Sequence, residues 1–404
     1  FTQNGADGSG QIAKSQFQII AVKPNTQVRV TPVLNGVSGT PFTINFTNAG
    51  DIYQYQADQD VTGSLIESIA TGSGSCLPIA VFSGSSNNTL GSLSCSGGSY
   101  DPLFQQLYPI SSWGKNFGFI PFGDYPLGDP YQVIASEDNT AVFVDGIQVA
   151  TLNAGQIYPA GFTSNPALVT SPANITADKP ICVAQYAQAL NCGGGGYGDP
   201  DMVILNPVEQ NIKDITIFSS SQQQITRQWI NVLMKTVAIP SFRLNGAVPA
   251  TAWQAMPAMA GYSYLRHRLS GPGSYRMYAD SGFNAIAYGF SSNYESYAYS
   301  AGTNVIDLYQ QIGVTNTYSI EPNPSACTGS PFKFKVSLPY LVDSLKWDLS
   351  LMPVPPTPAV IIQRFSNPVT GPDSATVVNG KQIYWYSLPN SYVYNQVGTF
   401  PLTL

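Results

Sequence analysis

Residues 48–53 read NAGDIY, and residues 153–158 read NAGQIY. A six-residue phrase that recurs with one change indicates an internal duplication when its neighbours recur with it. Here they do, because FQIIAVKPNTQVRV precedes the first copy and YQVIASEDNTAVFVDG precedes the second. In each copy two strands flank an Asn-Thr turn, an Asn-Gly or Asp-Gly turn follows, and a closing strand introduced by Pro78 or Pro180 comes after the phrase. The chain is therefore predicted to repeat one β module.

A third and more diverged copy follows the second. It contains the turn Asn245-Gly246, the closing strand FNAIAYGF at 283–290, and Ala260-Gly261-Tyr262 in the place of the repeated phrase. Asn-Gly and Asp-Gly favour type I′ hairpin turns, because both central residues of such a turn need positive φ. The glycine of Asn-Ala-Gly is expected to serve a similar turn.

The fold class predicted from this pattern is all-β, with tandem β-sandwich modules. Short runs of alternating Val, Ile, Thr, Phe and Tyr are separated by Gly, Asn, Asp and Pro, which is typical of sandwiches. Helices of at most two turns are expected only at YDPLFQQLYP and PVEQNIKD. The predicted modules are residues 1–99, 100–208 and 209–311.

The sequence pattern changes near residue 312. Residues 312–404 have an early Cys327, Trp347 twenty residues later, and a closing GTFPLTL. This pattern resembles an incomplete immunoglobulin-like or polycystic-kidney-disease-type domain, in which the early Cys pairs with a late one across the core. Since no later Cys is present, the partner of Cys327 is expected beyond Leu404.

Composition narrows the functional class. Charged residues make up 10% of the 404 residues and the net charge is −6, without a basic cluster. Nucleic acid is not expected as a partner, because phosphate binding needs a concentrated basic face. Since no apolar run reaches the ~18 residues of a membrane helix, no transmembrane segment is predicted. The low charge and abundant Tyr, Gly and Pro favour an extracellular, secreted protein.

Four cysteines lie close to predicted strands and loops. Cys76 and Cys95 flank one strand and its loop, and Cys182 and Cys192 flank another. We predict two local disulfides, Cys76–Cys95 and Cys182–Cys192, and hence an oxidising compartment. Buried free thiols are the alternative for each pair.

Several ordered motifs resemble the IgGFc-binding protein family, in particular its bacterial branch in large surface proteins of Bacteroidota. They include LYPISSWGKNFGFIPF, ITADKPICVAQY, YGDPDMVILNPVEQNI and ESYAYSAG, and they are densest over residues 100–311. The resemblance implies a cell-surface adhesin or fibre component, with immunoglobulin-like or polycystic-kidney-disease-type domains and a C-terminal sorting segment. Antibody binding is not assumed.

The segment CGGGGYGDPDM at 192–202 is the predicted ligand-binding loop. Its glycines allow close backbone approach, Tyr197 offers a flat face to a sugar ring, and Asp199 and Asp201 can accept hydrogen bonds from hydroxyls. Asp199 and Asp201, or Asp124 and Asp129, also supply oxygen ligands that calcium accepts. The alternative is a structural hairpin loop with turn-capping Asp residues. The Tyr-rich stretch 293–302 is either a second binding face or strand packing.

Catalysis is not expected. His267 is the one histidine, it lies in an alternating strand pattern, and no GxSxG motif accompanies it. A pair of facing carboxylates stays open as an alternative. The predicted function is adhesion without a cofactor, through a glycan, mucin or other surface glycoprotein. The alternative is a structural fibre subunit or stalk with homotypic contacts.

Overall fold

The computed structural model describes residues 13–70, 76–91, 99–159, 167–305, 310–315, 326–365, 371–378, 381–398, 400 and 402–404. The chain forms two compact units, residues 1–305 and 306–404. Over the described ranges the regular structure is β-strand with a few short 3₁₀ helices, so the all-β prediction is confirmed. No helix in these ranges is long and apolar enough to cross a membrane.

The first predicted module is a sandwich of two antiparallel sheets and a small hairpin. The four-stranded sheet has the order β6-β1-β8-β9, the three-stranded sheet has the order β5-β2-β7, and β3 pairs with β4. The strands within residues 1–99 are β1 (Ser15–Ala21), β2 (Thr26–Thr31), β3 (Val33–Leu34), β4 (Val37–Ser38), β5 (Phe42–Phe46), β6 (Ile52–Ala57), β7 (Leu65–Ile69) and β8 (Ile79–Asn88). The last strand of the four-stranded sheet, β9 (Asp101–Gln106), belongs to the second predicted module.

The second predicted module is built around one long strand, β16. That strand pairs with β12 and β10 through its first half and with β11 and β17 through its second half. The elements are η1 (Ile110–Ser112), β10 (Gly114–Phe119), β11 (Asp129–Ala135), β12 (Thr140–Val144), β13 (Ile147–Leu152), β14 (Ile157–Tyr158), β15 (Leu168–Val169), β16 (Ala173–Ala187), β17 (Asp201–Ile204) and η2 (Val208–Gln210).

The third predicted module is built in the same way around β23. Its first half pairs with β18 and β20, and its second half pairs with β19 and β24. The elements are β18 (Ile212–Ser219), η3 (Gln222–Gln224), β19 (Arg227–Lys235), η4 (Thr236–Ser241), β20 (Arg243–Leu244), β21 (Gln254–Ala255), β22 (Tyr262–Arg268), β23 (Gly273–Phe290) and β24 (Ser296–Ser300).

One pairing scheme recurs in the three predicted modules. In each, a central strand (β1, β11 or β19) lies between the strand that follows the repeated turn (β6, β14 or β22) and the closing strand (β8, β16 or β23). This agreement follows the sequence repeat, although the number of repeats and the module boundaries stay predictions.

The predicted hairpin turns are confirmed by their backbone angles. Asn35, Asp145 and Asn245 have φ of 48°, 50° and 50°, and the glycine after each has φ of 79° or 80°. Positive φ at both positions defines a type I′ turn. The hairpin tips therefore have the geometry that their Asn-Gly and Asp-Gly pairs favour.

The repeated phrase also forms a turn, including in its diverged third copy. Gly50, Gly155 and Gly261 have φ of 87°, 78° and 78°. The backbone N–H of the residue after each glycine donates a hydrogen bond to the carbonyl oxygen of the residue two positions before that glycine. An example is Gln156 N to Asn153 O, at 2.9 Å. A glycine is favoured there because a side chain disfavours left-handed backbone.

The closing strands of the second and third modules differ from the prediction. Pro180 lies inside β16 and does not begin a strand, and β23 contains Gly282 with φ of 77°. The pairing register shifts near both positions, between Gly114 and Asn116 on one partner and between Ile212 and Asp214 on the other. Proline and glycine are tolerated inside strands at such irregularities.

A shared core joins the two sides of residue 208. Phe117, Phe119 and Phe122 pack in one buried cluster with Tyr288 and Phe290. The rings of Phe122 and Tyr288 meet edge to face with centroids 4.6 Å apart. The second and third predicted modules therefore share this core cluster.

The unit of residues 306–404 has two sheets of its own. The order β25-β26-β30-β29 faces a pair β27-β28 across a core that holds Trp347 fully buried. Cys327 is an exposed free thiol before β26, so it does not occupy the core position of an immunoglobulin Cys. The strands are β25 (Gln311–Thr315), β26 (Lys333–Leu338), β27 (Ser344–Asp348), β28 (Val360–Arg364), β29 (Ser374–Val378) and β30 (Lys381–Ser387).

The predicted disulfide pairs are wrong. Cys182 is a buried free thiol and Cys76 is an exposed free thiol, so neither Cys76–Cys95 nor Cys182–Cys192 forms. Cys182 lies in the interior of β16 and packs with Ala184 and Met202, where burial raises its pKa to about 12. Cys192 is disulfide-bonded, and Cys95 lies outside the described residues.

The two expected short helices also differ. Residues 101–106 form the strand β9, because they pair with β8 and extend its sheet. Residues 208–210 form the 3₁₀ turn η2. At residues 101–106, pairing with the edge of β8 outweighs the local helix preference.

The turn geometry yields a stability prediction. Gly261→Ala should lower the free energy of unfolding by about 1–2 kcal/mol, because an added Cβ disfavours left-handed backbone. No atom lies within 4 Å of that Cβ position, so the cost is conformational and not steric. Gly271→Ala is the matched control, since its surroundings are equally open and its φ is not positive. Urea unfolding followed by circular dichroism should separate the two; equal midpoints would contradict the prediction.

Candidate ligand-binding surface

The predicted ligand-binding loop at residues 192–202, which we call the glycine loop, packs tightly against the segment 124–127. A Cβ at Gly193 would lie 2.2 Å from the Tyr125 ring, one at Gly195 would lie 1.8 Å from Asp124 O, and one at Gly198 would lie 2.1 Å from the Tyr125 hydroxyl. Tyr125 is buried, and its hydroxyl donates to Gln188 O at 3.0 Å. These glycines are therefore required by close packing inside the protein, and the loop is held in one position.

Tyr197 lies at the centre of a polar and aromatic group. Arg227 Nη2 donates to its hydroxyl at 2.7 Å, and the guanidinium carbon lies 4.1 Å from its ring centroid. Arg227 Nη1 also donates to Asp124 Oδ1 at 2.9 Å, and Trp229 Nε1 donates to Asp124 Oδ2 at 2.9 Å. We call Asp124, Tyr197, Arg227 and Trp229 the Tyr197 cluster. All four side chains are half-buried.

The local backbone explains why these four residues meet. Arg227 and Trp229 are two positions apart in β19, so their side chains lie on one face of the strand. Asp124 has φ of 69°, which Asp tolerates better than most residues, and it lies in the turn that leads to β11. Gly123 leaves room for the Trp229 ring, whose nearest atom would be 2.8 Å from a Cβ there.

The cluster offers aromatic rings and hydrogen-bonding groups without net formal charge. Asp124 and Arg227 form an ion pair whose side chains are 14% and 26% exposed, so each neutralises the other at the surface. The Arg227 guanidinium lies over the Tyr197 ring, and the Asp124 carboxylate accepts hydrogen bonds from Arg227 and Trp229. These contacts hold the two rings in fixed orientations. Such a surface could bind a ligand that has hydroxyl groups and flat apolar faces, as a sugar does.

Asp199 and Asp201 lie elsewhere, in an acidic group with Asp101 and Glu295 in which Asp199 is buried and the other three residues are half-buried. Asp199 is 3% exposed, and its Oδ1 has no hydrogen-bond partner. Burial, followed by repulsion from Asp101 and Glu295, raises its pKa to about 7 despite a hydrogen bond with Ser99. Burial likewise raises the pKa of Asp201 to about 7 and that of Asp101 to about 6. The structure does not bring Asp199 to the surface beside Tyr197.

The other predicted calcium ligands are also separated. Asp129 is fully buried and accepts hydrogen bonds from Phe122 N and Gln185 Nε2, both at 2.6 Å, whereas Asp124 is in the Tyr197 cluster. Burial raises the pKa of Asp129 to about 8. Within the described ranges, no three acidic, His or Cys side chains are grouped so that they could hold a metal ion.

Two other predicted features have local structural partners. In the stretch 293–302, Tyr297 bonds with Ser219 Oγ at 2.8 Å, and Tyr299 donates to Phe218 O at 2.6 Å. Both tyrosines therefore pack β24 against β18. His267 is half-buried beside Thr251 Oγ1, 2.8 Å from its Nδ1, and desolvation lowers its pKa.

Sequence reasoning missed Arg227 and Trp229. The spacing of two within RQWIN places them on one strand face, and that was the available signal. Nothing in the sequence ties this strand to a loop thirty residues earlier, because the contact depends on how the two modules pack.

The fold and the cluster together define an all-β scaffold with a rigid, loop-borne aromatic surface. Residues 3–289 match the family described as IgGFc binding protein, so the chain belongs to that family. No match was found among curated proteins. Among solved structures, the chain is similar to the GH78 family rhamnosidase of Bacillus sp. GL1, with 8% identity and a TM-score of 0.14. The alignment covers 76% of this chain and 34% of that chain.

The acidic group around Asp199 yields a prediction of pH dependence. An unfolded Asp titrates near ~3.9, whereas Asp199 and Asp201 titrate near 7 when folded. Between those values the folded chain holds protons that the unfolded chain releases, so the free energy of unfolding should fall as pH rises from about 4 to about 7. Asp199→Asn should reduce that fall, because Asn has no proton to lose.

Urea unfolding at pH 5 and pH 8 measures this effect. The exposed Asp280→Asn serves as the control and should keep the dependence of the unaltered chain. An unchanged difference between the two pH values in Asp199→Asn would contradict the prediction.

Proposed function

We propose that this chain is a non-catalytic binding region of an extracellular surface protein, and that it recognises a glycan on a glycoprotein through the Tyr197 cluster. The observation that carries the proposal is the cluster itself, in which Tyr197 and Trp229 are fixed by Arg227 and Asp124 and remain half-exposed. Membership of the IgGFc binding protein family supports a binding role. Bacterial origin, a following immunoglobulin-like domain and surface attachment belong to the same proposal.

The charge of the cluster favours a neutral glycan over an acidic one. Arg227 is already paired with Asp124, so a ligand carboxylate or sulfate would have to compete with an ion pair that is mostly buried. Neutral hydroxyls can add hydrogen bonds at the remaining donor and acceptor positions without breaking the pair. The aromatic rings supply apolar contact area for the faces of the sugar rings.

A binding role is favoured over catalysis by the position of the carboxyls. Of the acids whose pKa values are raised, Asp129 and Asp199 are 0% and 3% exposed, so a substrate could not reach them without local opening. Asp101 and Asp201 are half-buried. Desolvation is the largest cause of the raised pKa of each of the four acids, so the raised values are accounted for by the fold.

Self-association is the second candidate, and two edge strands favour it. β6 and β13 each lie at the edge of a sheet. Ile52 in β6 is 62% exposed, and Ile147 in β13 is 71% exposed. Edge strands with exposed apolar side chains can pair with another chain. A fibre subunit would use these edges and not the Tyr197 cluster.

Binding of the full chain to arrays of neutral and acidic glycans, to mucin and to antibody Fc tests the proposal. Tyr197→Ala should weaken a saturable signal at least about tenfold, the scale of a central aromatic contact. Tyr278→Ala is the matched control, because Tyr278 is 40% exposed and lies outside the cluster. Thermal unfolding of both variants checks that the fold is retained.

Equal losses in the two variants would contradict a site at the Tyr197 cluster. Silence on all surfaces, together with ordered self-assembly of the chain, would overturn the binding proposal in favour of a fibre subunit. An effect of Ile147→Lys on that assembly would then locate the contact at β13.

A further inference from the structure

A small cavity lies between the second and third predicted modules. Its volume is about 30 Å³, and four amide side chains line it together with apolar and backbone groups. The amides are Gln185 in β16, Asn206 after β17, Asn231 in β19 and Asn284 in β23. Each of them is at least nine-tenths buried.

The orientation of each amide is fixed by its NH₂ group. Asn284 Nδ2 donates to the backbone oxygens of Asn206 and Pro207, at 3.1 and 2.8 Å. Asn206 Nδ2 donates to Ser300 Oγ at 2.8 Å and to Gly302 O at 2.9 Å. A backbone oxygen can only accept, so exchanging the amide oxygen and nitrogen would set oxygen against oxygen.

Gln185 and Asn231 are fixed in the same way. Gln185 Nε2 donates to Ile120 O at 3.0 Å and to Asp129 Oδ2 at 2.6 Å. Asn231 Nδ2 donates to Ile120 O at 2.9 Å, and its Oδ1 accepts from the Tyr288 hydroxyl at 2.9 Å. All the amide hydrogens are therefore directed to other partners.

Three amide oxygens consequently have no donor within the protein. They are Gln185 Oε1, Asn206 Oδ1 and Asn284 Oδ1, and each is buried. A buried acceptor without a donor loses the hydrogen bond that water gives it in the unfolded chain, so three such acceptors around one cavity indicate an occupant that donates hydrogen bonds. The occupant must be small and must present hydrogens or positive charge to neutral oxygens.

Room and charge select water as that occupant. A cavity needs at least about 10–15 Å³ of this kind of volume for one water, so the present one has room for about two. Two waters carry four hydrogens, which match three amide oxygens and one hydrogen bond between the waters. No charged side chain lines the cavity, so a divalent cation would find no carboxylate to balance it.

We infer that this cavity binds a pair of ordered waters, which complete an amide clasp between the two predicted modules. Asn231 and Asn284 reach from the third module to backbone oxygens of the second, and Asn206 reaches from the second to the third. The waters satisfy the oxygens that these crossings leave over. The clasp therefore holds its geometry only while the cavity is hydrated.

A crystal structure of the unaltered chain tests the inference directly, with one crystal soaked in a rubidium salt. Two density peaks within hydrogen-bond distance of the three oxygens, without anomalous signal, are expected. An anomalous peak would overturn the inference in favour of a monovalent cation, and absence of density would overturn it in favour of an empty cavity.

Oxygen-17 relaxation dispersion provides a test in solution, because it counts long-lived internal waters. Gln185→Met replaces a lining amide with an apolar side chain of similar length and should remove about two such waters. Gln188→Met is the matched control, since Gln188 is equally buried and does not line the cavity. Equal counts in the two folded variants would contradict the assignment.

Discussion

The register shifts in β16 and β23 are the constraint on which the larger unit depends. Each strand pairs with one set of partners through its first half and with another set through its second half. Pro180 and Gly282 lie where the pairing is interrupted, so each strand changes partners at an irregularity that these residues tolerate. Because one continuous strand pairs with both sets of partners, the two halves of a module cannot move independently.

This constraint also places the Tyr197 cluster. The second half of β23 pairs with β19, which sets the position of Arg227 and Trp229, and Phe290 from the same strand packs on Tyr125. Tyr125 in turn supports the glycine loop that carries Tyr197. A surface assembled from two modules is therefore fixed by a common core, which reduces the entropy lost when a ligand is bound.

Local chemistry decided what the sequence could predict. The turns at Asn35, Asp145 and Asn245 followed from residues that tolerate positive φ, and the same argument located the drifted turn at Gly261. The wrong predictions concerned tertiary contacts, which closeness in the sequence does not determine. Cys182 and Cys192 are close in the chain, yet Cys182 packs inside β16, and Asp199 turns inward although Tyr197 beside it does not. Arg227 belongs to the candidate site only because two modules share a core.

The hairpin tips lend the molecule a practical use as a display scaffold. Gly36, Gly146 and Gly246 are exposed, and no atom lies within 4 Å of where a side chain would begin at any of them. Peptide epitopes or fluorophore attachment sequences inserted there would extend from strands that are already paired on both sides of the turn. Loop-closure cost grows slowly with length, so insertions at these tips should be tolerated.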